Sequence, residues 1–212
     1  MRKILIKVLA LTLLVVIGSS INLFNLVTLP KSSGAMCMDG SQYGIYLFTP
    51  DELTADNKLF IYFEDIWEGW CARDTLNDSL AHCSKYVSDN NFIEYGSSDN
   101  WSGSFTTLNG ILSSNSIFGA WPKVLIKSCD GGSYFSDSNA TFKNKVMNFK
   151  GSKNVIETIN YLNKNNMLLN KEEIVIVGVG NGAIGALAWA NTFKANTKGK
   201  VRVLVDSGVW EN

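Results

Sequence analysis

Ile174-Val-Ile-Val-Gly-Val-Gly-Asn-Gly-Ala-Ile-Gly185 decides the fold. The β-branched run from Glu173 to Val177 reads as a buried strand, Gly178 to Gly182 as a tight glycine turn, and Ala183 to Phe193 as a small-residue helix. Val201 to Val205 is a second β-branched strand. Strand, turn, helix and strand with short links imply a right-handed crossover between parallel neighbours, and so an α/β sheet.

The turn has three readings. Gly178-Val-Gly180-Asn-Gly182 has the frame of a nucleophile elbow, G-x-S-x-G, where glycines let a strand turn sharply into a helix and lift a serine above the sheet. Here the central residue is Gly180, which has no oxygen to attack a carbonyl. The second reading is a dinucleotide fold. Gly180, Gly182 and Gly185 satisfy G-x-G-x-x-G, and Asp206 at a strand end is placed like a ribose-binding acid. That Rossmann-type alternative lacks the strands that should follow the turn, since Asp206 is close to Asn212. In the third reading the glycines only permit close helix–strand packing.

Outward from the turn, apolar residues at 155, 156, 159 and 162 give a helix over 151–166, with Ser152 as its N-cap. Val124 to Lys127 is a short strand. Tyr43 to Phe48 and Lys58 to Phe63 read as a hairpin across the polar turn from Pro50. Residues 65–115, rich in Asn, Ser, Asp and Gly, read as irregular. The expected organisation is a leader over 1–20, a short linker over 21–35 and a single, C-terminally partial α/β domain over 36–212.

The leader expectation rests on Arg2, Lys3 and Lys7, the apolar run from Val8 to Ile17, and the small residues Gly18 and Ser20. The run is shorter than the roughly 20 apolar residues that span a bilayer, so a cleaved signal peptide is expected. Because Ile21 to Leu29 is apolar again, an uncleaved signal anchor is the alternative, and only that would attach the chain to a membrane. A secreted or luminal location follows. Formal net charge is zero over the full chain, which gives no electrostatic grip on nucleic acid. Four cysteines in an oxidising compartment read as two disulfides. Cys71 and Cys83 form the obvious local pair, which leaves Cys37 and Cys129, although sequence alone leaves the pairing open. No C-x-x-C occurs and His82 is the sole histidine, so no zinc set is expected. Asn77, Asn100 and Asn139 begin N-x-S/T glycosylation sequons.

Further boxes carry a family resemblance. They are Met36-Cys-Met-Asp-Gly-Ser41, Phe63-Glu64 followed by Gly69-Trp70-Cys71, Gly110-Ile-Leu-Ser-Ser114, Cys129-Asp-Gly-Gly-Ser133, Phe149-Lys-Gly151 and Val205-Asp-Ser-Gly208. In this order they resemble the pectin acetylesterase family, which includes the Notum lipid deacylases. The resemblance implies an α/β-hydrolase sheet, a Ser-Asp-His triad that removes O-linked acyl groups, and the pairings Cys71–Cys83 and Cys37–Cys129. It implies no cofactor. It places the family's serine at Gly180 and the oxyanion-hole N–H groups at Gly69, Trp70 and Asn181, with residues 65–68 altered from the family's glycine loop. Asp206 matches a structural aspartate rather than the triad acid, and no histidine follows His82, which reads as a surface residue. The expectation is an inactive chain, either a fragment or a pseudoenzyme. A glycan or an acylated protein is the expected ligand of an aromatic loop around Trp67, Trp70 and Trp101.

Overall fold

A computed structural model describes residues 21–50, 55–65, 71, 73–90, 93–107 and 109–207. The strands are β1 (Asn22–Thr28), β2 (Gly44–Phe48), β3 (Lys58–Phe63), β4 (Ser104–Thr107), β5 (Lys123–Ile126), β6 (Ser138–Phe142), β7 (Lys145–Phe149), β8 (Glu173–Val179) and β9 (Lys200–Asp206). The α-helices are α1 (Leu76–Tyr86), α2 (Gly151–Lys164) and α3 (Asn181–Ala195).

Seven strands form one mixed sheet in the order β4-β1-β2-β5-β3-β8-β9. β5, β3, β8 and β9 run parallel to one another, and β2, β1 and β4 extend the sheet by antiparallel pairing. Of the parallel strands, β5, β3 and β8 are near-continuous apolar runs because both of their faces are covered. On one face, Ile61, Phe63, Ile126 and Ile176 pack with Val155 and Ile159 of α2 and Ala186 and Phe193 of α3. On the other, Phe60, Val175 and Val177 pack with Phe118 and Trp121.

The crossover β8–α3–β9 stands as the glycine segment implied. Other expectations are corrected. β2 and β3 are not a hairpin, because β5 inserts between them, antiparallel to β2 and parallel to β3. Local apolar pattern cannot see such an insertion, since β5 enters from 60 residues downstream. The expected linker over 21–35 carries β1, paired on both sides. Residues 65–115 include α1 and β4. α2 begins at Gly151 rather than behind a Ser152 cap; Ser152 Oγ instead donates to the Ser136 carbonyl.

Asp130 explains that shifted start. Its buried carboxylate accepts from the Gly151 and Gly132 N–H groups and from Ser136 Oγ, so it caps α2 from outside the helix. Burial outweighs those donors and lifts its pKa. Asp130→Asn presents an amide N–H2 to one of these donors. A loss of about 1–2 kcal/mol is expected in urea unfolding; an unchanged midpoint would contradict the cap.

The structure pairs Cys37–Cys129 and Cys71–Cys83, as the resemblance implied. The second bridge ties α1 to the segment after β3, and Met38, Tyr86 and Met147 pack around it. Asn77, Asn100 and Asn139 are all exposed. No described helix is long and apolar enough to cross a membrane; the expected signal segment lies outside the described residues.

Candidate functional site

The parallel strands present their carboxyl ends together, the usual place for a site in an open α/β sheet. β8 ends at Val179, and Gly180 makes the turn into α3 with φ +54° and ψ −122°. L side chains seldom adopt that conformation. The turn is held closed by Gly180 N–H donating to the Asp206 carbonyl at 3.0 Å. Gly182 lets α3 start this close to the sheet: a Cβ there would collide with the backbone carbonyls of Phe63 and Glu64. The G-x-S-x-G frame therefore has the backbone of an elbow.

What stands at the elbow is an aspartate. A Cβ on Gly180 would lie 2.5 Å from Asp65 Oδ2 and 2.6 Å from its Cγ and Oδ1. Asp65 Oδ1 accepts from Asn181 N–H at 3.1 Å. The carboxylate thus fills the space of a nucleophile's side chain and engages an N–H expected to serve an oxyanion hole. Its negative charge also faces the N-terminus of the 15-residue α3, where the helix dipole favours it.

Tyr134 fixes the chain that delivers Asp65. Its buried hydroxyl donates to the Glu64 carbonyl at 2.7 Å, and its ring meets Phe63 edge-on. Trp189 Nε1 of α3 donates to the Tyr134 carbonyl at 2.9 Å, linking helix and loop. Ser133 and Tyr134 take positive φ values of 49° and 72°, so this loop bends sharply after Cys129.

Beside the elbow lies a cleft of about 380 Å³ whose lining includes Tyr46, Glu64, Asp65, Tyr95, Trp101 and Lys127. Lys127 Nζ sits 2.6 Å from Glu64 Oε1 and 5.3 Å from the Trp101 ring centre. That ring also packs against Tyr43 and Tyr46, so Trp101 serves both core and cleft. Burial, and then the Glu64 carboxylate, raise the Tyr46 pKa.

The structure gathers some expected site residues and separates others. Gly180, Asn181 and Asp206 meet at the elbow. His82 sits apart on α1, with Nε2 against the Tyr86 hydroxyl at 2.7 Å and also against Arg73. Gly69, Trp70 and Trp67 lie outside the described residues. Asp65 was missed as a site residue. Its signal was available: an acid stands where the family loop has glycine, in a chain that also lacks the serine. Among the described residues, no group of three or more His, Cys, Asp and Glu side chains could hold a metal ion.

Comparison with known proteins gives this geometry a family. The sequence pattern of the Pectinacetylesterase family matches residues 18–212. The chain belongs to that family. It is 26% identical to pectin acetylesterase 5 of Arabidopsis thaliana over 193 residues, which cover 88% of this chain and 42% of that protein. It is also 26% identical to pectin acetylesterase 11 of the same plant, over 84% of this chain and 44% of the relative. The Wnt deacylase Notum from Drosophila shares the fold, with a TM-score of 0.66 at 20% identity, covering 85% of this chain and 51% of Notum. The chain thus spans less than half the length of these plant relatives. As a pectinacetylesterase-family chain it keeps the elbow backbone and places Asp65 within it. The dinucleotide alternative finds no support, and the carboxylate at the head of α3 stands where that alternative would put a pyrophosphate.

Proposed function

We propose that this chain is a secreted, binding-only member of the pectinacetylesterase family: a pseudoenzyme that does not hydrolyse esters at its elbow. One observation carries the reading. Asp65 occupies the nucleophile's space above Gly180 and takes up the Asn181 N–H. An ester carbonyl arriving there would meet a negative charge in place of an oxyanion donor, with no hydroxyl to attack it. The only histidine is engaged by Tyr86 and Arg73 on α1. Secretion is supported by the leader pattern over residues 1–20 and by the two disulfides. The aromatic cleft beside the elbow suits a glycan or an acylated protein ligand, held by Tyr46 and Trp101 and oriented by Glu64 and Lys127.

The purified chain, incubated with p-nitrophenyl acetate, is expected to release nitrophenol at the rate of a protein-free blank. Gly180→Ser and the double variant Gly180→Ser/Asp65→Gly are expected to do the same: in the first the Asp65 carboxylate remains beside the elbow and repels a developing oxyanion, and in both the sole histidine is held away on α1. Turnover by the unmodified chain that disappears in Asp65→Asn would overturn the proposal and make Asp65 the nucleophile.

A further inference from the structure

The cleft beside the elbow has a wall chemistry that narrows what it can hold. Among its described lining residues none is aliphatic. Its apolar surface comes from the rings of Tyr46, Tyr95 and Trp101. An acyl chain needs continuous aliphatic cover. A pyranose ring packs a C–H face on an aromatic ring and needs polar partners for its hydroxyls. Asn100 and Ser102 supply such partners in the wall. The rings are held in place. Tyr46 donates its hydroxyl to the Ser102 carbonyl at 2.7 Å, and Tyr95 packs on Tyr86 with ring centres 5.5 Å apart. Two lining residues, Trp101 and Ser128, bury Nε1 and Oγ with no hydrogen-bond partner among the described residues. Buried polar groups of this kind normally have one.

The charge of the cleft is selective too. Among the described lining residues three carboxylates, Glu64, Asp65 and Glu94, stand against one ammonium, that of Lys127. Glu64 is paired with Lys127 at 2.6 Å, and Asp65 accepts from Asn181 N–H at 3.1 Å. The Glu94 carboxylate makes no ion pair among the described residues. Neighbouring phenols report the negative field. After burial, Glu64 raises the Tyr46 pKa, and Glu64, Asp65 and Asp206 raise that of Tyr62. Lys127 shows what this chemistry accepts, since its Nζ pairs with a carboxylate and lies over the Trp101 ring, 5.3 Å from the centre. We propose that the cleft takes a glycan carrying protonated amines, an amino-sugar chain without its N-acetyl groups, with sugar faces on the aromatic rings and an ammonium on Glu94. The inference rests on the glycan reading of the cleft given above and names the glycan's chemistry. A polyuronate, negative along its length, is repelled by the same carboxylates.

Isothermal titration calorimetry of the full chain at about pH 6, where amino sugars are protonated, tests this. The chain is made without N-glycans, because Asn100 begins a sequon in the cleft wall. The probes are tetraglucosamine, its fully N-acetylated counterpart, tetragalacturonate and tetralysine. Tetraglucosamine is expected to bind about tenfold more tightly than the others, and more weakly as salt is added. Glu94→Gln should weaken it about threefold and Glu94→Lys about tenfold. Trp101→Leu should weaken it about tenfold. Trp101 also packs in the core, so near-UV circular dichroism reports whether that variant is folded; the exposed Glu94 carries the test if it is not. Preference for the acetylated or the galacturonate probe overturns the inference and leaves the glycan reading standing. Tetralysine binding as tightly as tetraglucosamine overturns it in favour of a basic peptide. Silence with every probe overturns the inference and the glycan reading together. Tetraglucosamine binding indifferent to both Glu94 variants also overturns it, since the ligand would then sit elsewhere.

Discussion

Gly180→Ser is expected to destabilise the chain by about 3 kcal/mol. A side chain at φ +54° costs roughly 1–3 kcal/mol in a sparsely populated backbone region. The added Cβ, 2.5 Å from Asp65 Oδ2, also evicts the carboxylate from the Asn181 N–H. A hydrogen bond to a charged group contributes roughly 1.5–3 kcal/mol. The two terms have different remedies. Asp65→Gly removes the collision and leaves the backbone cost. The pair should therefore be strongly non-additive, with Gly180→Ser costing about 1–2 kcal/mol less in the Asp65→Gly background. A double-mutant cycle by urea unfolding measures this, and simple additivity would mean that Asp65 does not hold the elbow. In a working esterase the same backbone strain is tolerated for the sake of an exposed nucleophile. This chain keeps the turn, avoids the strain with glycine, and fills the vacated volume with an acid from the neighbouring strand.

The second large effect is a rise in stability with alkaline pH. Lys123 opens β5 and is fully buried. Its ammonium donates to the carbonyls of Gly119 at 2.8 Å and Trp121 at 3.0 Å, and lies 4.5 Å from the centre of the Phe48 ring. These contacts do not replace water fully, and burial lowers its pKa from 10.5 to about 8. The unfolded chain keeps its proton up to the ordinary lysine value, while the folded chain releases it near 8. Between about pH 8 and 10.5 the unfolded state binds more protons, so unfolding becomes harder as pH rises. The full gain is about 3 kcal/mol, since each pKa unit is worth roughly 1.4 kcal/mol. Lys123→Met should be at least as stable as the parent at pH 7 and should lose the rise. Urea midpoints of parent and Lys123→Met across pH 7 to about 9.5 decide it, below the range where the buried tyrosines, whose pKa values are raised by burial, pull stability down; a profile in the parent no steeper than that of Lys123→Met would show that Lys123 is not the titrating group.

These two residues mark the boundary of what the sequence disclosed. Glycines at 178, 180 and 182 between two β-branched runs were enough to state a strand, an elbow-like turn, a helix and a parallel neighbour. All four depend on contacts within about 30 residues, and local sterics dictate them. The family boxes likewise fixed the two disulfides. Sequence could not show β5 inserting between β2 and β3, because strand order is set by which long-range pairing buries the most apolar surface. It also could not show that a carboxylate from the end of β3 lies over a glycine 115 residues later. Asp65 reads locally as one more acid in a polar loop. Only the packing of β3 against β8, with Tyr134 holding the Glu64 carbonyl, brings it to the head of α3. The burial of Lys123 belongs to the same class, since a lysine at a strand start looks solvent-facing until Phe48, Gly119 and Trp121 close around it.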